Sequence, residues 1–554
     1  LSTRSILISY AGYPYTFNSL MPDNGLANLA GALLSAGHET LILDYGTVEN
    51  VRRMVPKEVS CEAKSTFLSL ARKMEAGEEL GEEQMLSLSK LERTLADLGN
   101  RHVAKVAEEI CEEIERFEPH FVGFKLWNGD GFSGSIKIAQ KVRAKHKNVR
   151  IFGGGPHVDI FRGDIYRATN AFDCLAYGEG EKTILELSEF ALGRRRLEDV
   201  NNIVFKNGVS TILSTRTERI RDLITLPLPC YEEQVYPAMK GNNKIKIMVL
   251  DESRGCSFAC HFCIHPYKSG RGLRTKKASR IIEEMRWITQ QTGSRAFRYA
   301  GSSTPPGLAK ELAELIISED LNVRYAGFGN PLNAVPEYFQ VLSDSGCRAL
   351  AFGMESGSEL ILKKALGKSI KVERMREVLE ASKRAGIFTV VGIIFPAPFE
   401  TKETEEETLA FLREVRPDSA LVLFPAIYPR TKWATDKKKF GFVFDEAEYL
   451  PAAMNYKVKT LFPMDFWDDL PYSLGERDFR TMMNETARFT RTLEREGITT
   501  SVCDDLALMA SLAGYRGEEK TLGNLGRFWF FTGDAHRIQE LVDAVNSNAS
   551  AGSE

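Results

Sequence analysis

What this sequence lacks narrows it first. It has no run of about 18 apolar residues, so no transmembrane helix is expected. The opening residues, LSTRSILISYAGYPY, show neither a long apolar core nor a small-residue cleavage site, which argues against a secretory signal. Neither sign of charge dominates: 72 Lys and Arg face 75 Asp and Glu, a net charge of −3. A phosphate-binding face usually shows as a basic excess, so nucleic acid is not expected as a partner. Cysteine is sparse. Of nine, six (Cys61, Cys111, Cys174, Cys230, Cys347 and Cys503) stand singly, which suits reduced thiols in a cytoplasmic protein and not a disulfide framework. No internal repeat is present, and only the end, NSNASAGSE, reads as disordered.

What is present is strand-helix alternation, so the expected fold class is α/β. SILISYA, ETLILDY, HFVGFKL, VRIFGGG and FDCLAYGEG read as strands with helical stretches between them, and Gly37 is a helix stop. This alternation predicts a Rossmann-like parallel sheet over residues 1–200, with its ligand beyond the carboxyl ends of the strands. Residues 47–100 interrupt the pattern with charged helix. They read as an insertion that folds over the ligand edge or packs externally as a helical pair. Residues 201–245 read as a linker with a hairpin across KNG. From KIKIMVLD a second series of about six strand-helix units predicts a partial or full (β/α) barrel over 246–435. Residues 436–554 lose the strand pattern and predict a small helical C-terminal domain.

The stretch DESRGCSFACHFCIHPYKSGRGLR concentrates the chemistry. Cys256, Cys260 and Cys263 fall within eight positions, just after a predicted strand, on the face where such barrels keep their active sites. A structural zinc site needs four ligands, and only His261 or His265 is at hand to complete one; that reading would make the chain a zinc-stabilised binding module. Three thiolates with no fourth suit a four-iron cluster with one iron left open to an outside ligand.

Here the sequence resembles the cobalamin-dependent radical S-adenosylmethionine (SAM) enzymes. RGCSFACHFC looks like their CxxxCxxC signature, with Phe262 at the usual aromatic position. RALAFGMESG resembles the fourth-strand GxESG segment. In VVGIIFPAPFETKETEEET, Pro396 and Phe399 stand where glycines are common, and YAGSSTPP lacks the acid often carried on the second strand. IFGGGPHVDIF and FDCLAYGEGEKTILEL resemble the cobalamin-binding domain that precedes many radical SAM domains.

The resemblance implies a [4Fe-4S] cluster on Cys256, Cys260 and Cys263, which would be both metal ligands and catalytic, with S-adenosylmethionine on the open iron. It implies SAM contacts from Glu355 and Ser356, and cobalamin contacts from Gly153, Gly154, Gly155, His157, Gly178, Glu179, Gly180 and Trp127. Arg274 and Lys276 read as surface or as partners of a carboxylate. The Asp-x-His-x-x-Gly motif that puts histidine on cobalt is missing, which leaves Leu126, Trp127, Asn128 and Arg72 as candidates for the lower face. A methylthiolating enzyme would need a second cysteine triad, and Cys61, Cys111 and Cys174 are too dispersed. The implied activity is methylation of an unactivated carbon in a small-molecule or peptide substrate, using methylcobalamin and a 5'-deoxyadenosyl radical. Radical cyclisation or ring rearrangement on the same cofactors is the alternative. An electron donor such as flavodoxin or ferredoxin is implied. Trp127, Tyr299, Tyr428 and Trp433 line a cavity or pack. Basic RTKWATDKKK reads as solvated surface, or as a face for an anionic substrate or an acidic electron donor.

Overall fold

The computed structural model describes residues 2–75, 81–208, 211–302, 304–332, 334–459, 461–462 and 464–551. Its first sheet contains β1 (Arg4–Ser9), β2 (Glu39–Asp44), β3 (Phe121–Lys125), β4 (Arg150–Gly154), β5 (Cys174–Ala176), β6 (Ile203–Asn207) and β7 (Thr211–Ser214), in the order β2-β1-β3-β4-β5-β6-β7. The first five run parallel. Helices cover both faces, which is why Ile6, Leu7 and Ile8 are all buried instead of alternating. The hairpin expected across KNG forms, but it extends this sheet, because β6 pairs antiparallel with β5. The opening helix, Asn24–Ser35, is capped by Asp23, whose carboxylate accepts the Leu26 N–H, and it is followed by Gly37 at φ +79°.

The charged segment after β2 does not stop at residue 100. Helix Glu82–Phe117 runs for 36 residues, about 54 Å at 1.5 Å per residue. Its second half lays Val103, Val106, Ile110 and Ile114 on the first sheet's core. Its first half carries Leu88 and Leu91 out to Phe531 of the C-terminal region. One helix is thus both the crossover between two parallel strands and an arm to the far end of the chain.

The second sheet is all parallel and in sequential order: β8 (Ile247–Leu250), then β11 (Ala296–Tyr299), β12 (Arg324–Phe328), β13 (Cys347–Glu355), β14 (Phe388–Ile394) and β15 (Ser419–Leu423). Between β8 and β11 lies a short antiparallel pair, β9 (Ser253–Arg254) and β10 (Arg274–Thr275). The first and last strands of the six do not pair, so the barrel is open. One face packs Met248, Leu250 and Phe297 against helix Ala278–Thr292. The other face is built from small side chains, Ala296, Ala326 and Ala349, and this leaves room for helix Asp504–Leu512 to lie inside the barrel. Arg298 on β11 donates to Asp504 at the start of that helix (3.0 Å).

The C-terminal region departs from expectation in two ways. It is not all helix: Phe442–Val443, Ser473–Leu474 and Arg477–Asp478 form a small antiparallel sheet. Its last helix, Ala535–Ala551, runs through most of the stretch expected to be disordered, with residues 552–554 outside the described residues. Asn546 explains this. Its side-chain amide donates to the Lys244 carbonyl (2.9 Å) and its Oδ1 accepts the Lys246 N–H (2.7 Å), tying the helix to the start of β8. Among the described residues, no helix is long and apolar enough to cross a membrane.

Candidate functional site

The cysteine loop leaves β9 through Gly255, at φ +85°. A Cβ there would meet the Gly272 carbonyl oxygen at 2.2 Å, so only glycine fits. Backbone bonds hold the loop on both sides. Cys256 N–H donates to Gly270 O (3.1 Å), His261 N–H to Leu366 O (2.9 Å) and Trp433 N–H to His261 O (3.1 Å). Phe262 packs on Trp433, ring centres 5.6 Å apart. The three thiols are half-buried. Burial pushes the Cys260 thiol up and the Cys263 thiol up to about 11, so each keeps its proton until a cationic centre replaces it. The His265 N–H points at Cys263 Sγ (3.4 Å), a bond that a thiolate ligand would strengthen. These features fit an iron-sulfur cluster. His261 does not turn toward the thiols to complete a zinc site: it directs Nδ1 to the Ala365 carbonyl (3.2 Å).

An acid that sequence reasoning missed stands four residues before this loop. Glu252 is 1 % exposed and accepts the Gly301 N–H (3.0 Å) and the Thr304 hydroxyl (2.9 Å). Burial outweighs these bonds and raises it to about 7. It thus holds the loop after β11, within YAGSSTPP, from the segment that follows β8. The signal was the acidic pair in LDES. Glu355 ends β13 at φ +70°, pairs with Lys368 (3.0 Å) and has its charge felt by Cys260 and Cys263. Ser356 is buried. Its hydroxyl bonds Thr408 (3.1 Å) and accepts the Ser358 N–H, which fixes the next turn. Ser356 thus makes buried turn contacts within the protein.

A cavity of about 320 Å3 lies between the first sheet and helices Asn24–Ser35 and Gly180–Ala191. Its depth is apolar, with Leu7, Leu26, Phe152, Ile184 and Leu187. Gly153, Gly154, Gly155, Gly178 and Gly180 line it at the strand ends. Two of these glycines are required by geometry. Gly155 sits at φ +94°, where a Cβ would lie 2.9 Å from Lys125 Cγ, and Gly178 sits at φ +77°. The Gly178 N–H donates to Asp159 (2.6 Å), whose carboxyl burial pushes up to about 6. The cavity wall continues with Asp251, Ser253 and Arg254, just before the cysteines, and with His265, Lys268 and Ser269, just after them. A cradle stripped of side chains at the strand ends, with an apolar slot behind it, fits a flat macrocycle whose aromatic base enters the slot.

Three of the expected cofactor-contact residues have protein partners in the structure. His157 faces inward: its ring lies between Phe132 and Phe161, centres 4.4 and 4.7 Å away, and Nε2 bonds the Met454 carbonyl (2.9 Å). Glu179 lines the cavity, but its carboxylate is taken by Arg274 (3.0 Å) and the Ile220 N–H (2.7 Å). Trp127 lies in a neighbouring cavity of about 480 Å3 together with Asn128, and donates to Ser9 Oγ (3.2 Å). That cavity shares Asn24 and Lys125 with the first. Leu126 is buried in the first sheet's core, and the side chain of Arg72 lies outside the described residues. Trp433 and Tyr299 are core, whereas Tyr428 is partly exposed.

The placement of His157 carries a pH signature. Burial holds it at about 4, against about 6.5 in an unfolded chain. Protons therefore bind the unfolded state first. The folded state loses nothing above pH 6.5 and loses stability as pH falls from 6.5 through 4, by up to about 3 kcal/mol. His157→Gln keeps a donor for Met454 and removes the proton site, so its urea midpoint should fall less steeply than that of the wild type between pH 7 and 4. Parallel slopes would refute this.

The two domains are joined by ion pairs from GEGE, residues 178–181. Glu181 accepts from Arg254 (3.1 Å), Arg254 also bonds Asp251 (3.0 Å), and Asn24 and Asn28 donate to Asp251 (3.3 and 3.1 Å). Glu179 holds Arg274 on β10. Both strands of the β9–β10 pair that flanks the cysteine loop are thus pinned to the first domain.

Comparison with known proteins agrees with this architecture. The radical SAM superfamily model matches residues 253–412 and the B12 binding domain model residues 84–188, so a B12-binding domain precedes a radical SAM domain. An uncharacterized methyltransferase of Pyrococcus horikoshii is 24% identical over 326 residues, 58% of this chain and 70% of its own length. The cobalamin-dependent radical SAM methyltransferase TokK of Streptomyces tokunonensis is 24% identical over 307 residues, and this chain spans only 44% of it. The structure of TsrM from Kitasatospora setae, a radical SAM methyltransferase with cobalamin and a [4Fe-4S] cluster bound, shares the fold. Its TM-score is 0.65 at 14% identity, covering 95% of this chain and 99% of that one.

Proposed function

We propose that this chain, a cobalamin-dependent radical SAM enzyme using a [4Fe-4S] cluster, S-adenosylmethionine and cobalamin, methylates an unactivated carbon of a small-molecule or peptide substrate. The observation that carries the reading is the cavity wall. The glycine-lined slot of the B12-binding domain is walled by the residues that bracket Cys256–Cys263, which supports two cofactors acting in one chamber. The methyltransferase names of its relatives favour methyl transfer over cyclisation or rearrangement.

When bound, the cofactors supply a 5'-deoxyadenosyl radical from S-adenosylmethionine and a methyl group carried on cobalt. The protein's part is placement. Cys256, Cys260 and Cys263 would hold the cluster. Glu252 fixes the Gly301–Thr304 loop beside it, and Glu355 offers a carboxylate on the same side as the thiols. Gly153, Gly154 and Gly155 would let the macrocycle approach backbone. The Glu179–Arg274 and Glu181–Arg254 pairs hold the two domains together at the chamber wall.

The test is an anaerobic assay of the reconstituted protein with cobalamin, reductant and S-adenosylmethionine, read by mass spectrometry. 5'-Deoxyadenosine together with S-adenosylhomocysteine is expected. 5'-Deoxyadenosine alone, in the presence of a substrate that turns over, would move the reading to cyclisation or rearrangement. Neither product from a protein with a full, reducible cluster would overturn it.

A further inference from the structure

The chain is slightly acidic overall, but the surface packed on the cysteine loop is not. Residues 361–371 and 431–440 carry eight lysines and one acid, Asp436. These are the two segments that bond the loop: Leu366 O accepts from His261, and Trp433 donates to its carbonyl. Trp433 also donates through Nε1 to Ala365 O (2.9 Å), locking the two segments to each other. The charges of Lys432 and Lys439 reach His261, inside the cysteine run.

Several of these lysines have internal partners. Lys368 pairs with Glu355, Lys371 with Glu359, and Lys437 donates to Phe444 O. Lys363, Lys364, Lys432, Lys438 and Lys439 are exposed and make no ion pair among the described residues. Two large apolar side chains are exposed as well. Phe258, at the tip of the cysteine loop, is 41 % exposed, and Phe399, next to Phe440, is 43 % exposed. None of the five lysines lines either cavity described above, so they do not face the chamber. Unpaired cations on the two segments that hold one loop, with exposed aromatic side chains on that loop and beside Phe440, are the pattern of a transient protein interface and suit an acidic partner.

We propose that this face docks an acidic one-electron donor protein, a reduced flavoprotein or iron-sulfur protein, over the cysteine loop. The inference rests on Cys256, Cys260 and Cys263 holding a cluster. The donor is oxidised by one electron and the cluster is reduced by one; no covalent bond forms or breaks. The location is economical, because the loop that would hold the cluster is itself at the surface at Ser257, Phe258 and Ala259. No rearrangement of the chamber is needed for the electron to enter.

The probe is flavodoxin, an acidic flavoprotein, titrated into the cluster-loaded enzyme by calorimetry at low and high salt. Wild type should bind it with an affinity that falls as salt rises. K432E/K438E/K439E should weaken binding at low salt by at least about tenfold and flatten the salt dependence. With dithionite, a small reductant that needs no docking face, this variant should form 5'-deoxyadenosine at the wild-type rate. Unchanged affinity and salt dependence in the variant would overturn the docking face while leaving the cluster reading intact. Absence of 5'-deoxyadenosine from loaded wild type with dithionite would overturn the cluster reading and the docking face with it.

Discussion

Cys260→Ala protein folds, but after reconstitution it lacks the iron and sulfide of wild type and forms 5'-deoxyadenosine more than about a thousandfold more slowly, equivalent to about 4 kcal/mol. The fold survives because the loop's anchors are backbone bonds at Cys256, His261 and Gly272, and none uses the Cys260 side chain. The cluster does not survive, because three thiolates are already one short of a full ligand set, and no nearby side chain can stand in. His261 is held to Ala365 O, and Glu355 is engaged by Lys368. Cys347→Ala is the contrast. That thiol is fully buried in the core, and burial pushes it up to about 12, so it behaves as a small apolar group. Its loss should cost stability and spare the iron. Glu252→Gln should fall between the two, with full iron and a rate reduced about 10–100-fold, because its loop loses an acceptor and gains a donor facing the Gly301 N–H. A Cys260→Ala protein with wild-type iron and 5'-deoxyadenosine formation would sink the ligand assignment.

Much of this architecture was legible in the sequence, for physical reasons that can be named. The parallel strands are short apolar runs because helices cover both their faces, and the cysteine spacing is local to one loop. The glycines at 153–155 mark a strand end where backbone must be approached. What was not legible also has causes. His157 was grouped with those glycines because it follows them, but Pro156 starts a helix there and the next side chain turns into the core. Ser356 follows Glu355 in the same motif and points the other way, as neighbours at a strand end do. The stretch NSNASAGSE is polar in composition, yet its first asparagine has a buried polar strand end to satisfy 300 residues earlier. Glu179 stands among the cavity glycines, but its partner Arg274 lies 95 residues away, as Arg254 lies 73 residues from Glu181. Nothing local announces such a pair.

That pair yields the second large effect. Glu179→Ala should destabilise the protein by about 3–5 kcal/mol in urea unfolding, because it leaves Arg274 largely buried with no carboxylate and strips the Ile220 N–H of its acceptor. The cost comes from abandonment more than from lost attraction. Replacing both partners with apolar side chains of similar size, Glu179→Leu with Arg274→Met, should therefore recover most of the loss, since a buried ion pair and a well-packed apolar pair are often close in free energy. A double-mutant cycle isolates this coupling. The consequence for the site separates the clamp from ordinary packing. Arg274 sits on β10, which pairs with β9 at the mouth of the cysteine loop, while Glu179 lies between Gly178 and Gly180 on the wall of the cavity. Loosening one end should loosen the other, so Glu179→Ala should weaken cobalamin binding even at temperatures where the protein remains folded, and the apolar double variant should restore part of that affinity. If Glu179→Ala stays within about 0.5 kcal/mol of wild type, or binds cobalamin as tightly as wild type does, the pair is not the clamp that holds the chamber together. Arg254, with its two carboxylates and its link through Asp251 to Asn24 and Asn28, would then be the joint that matters.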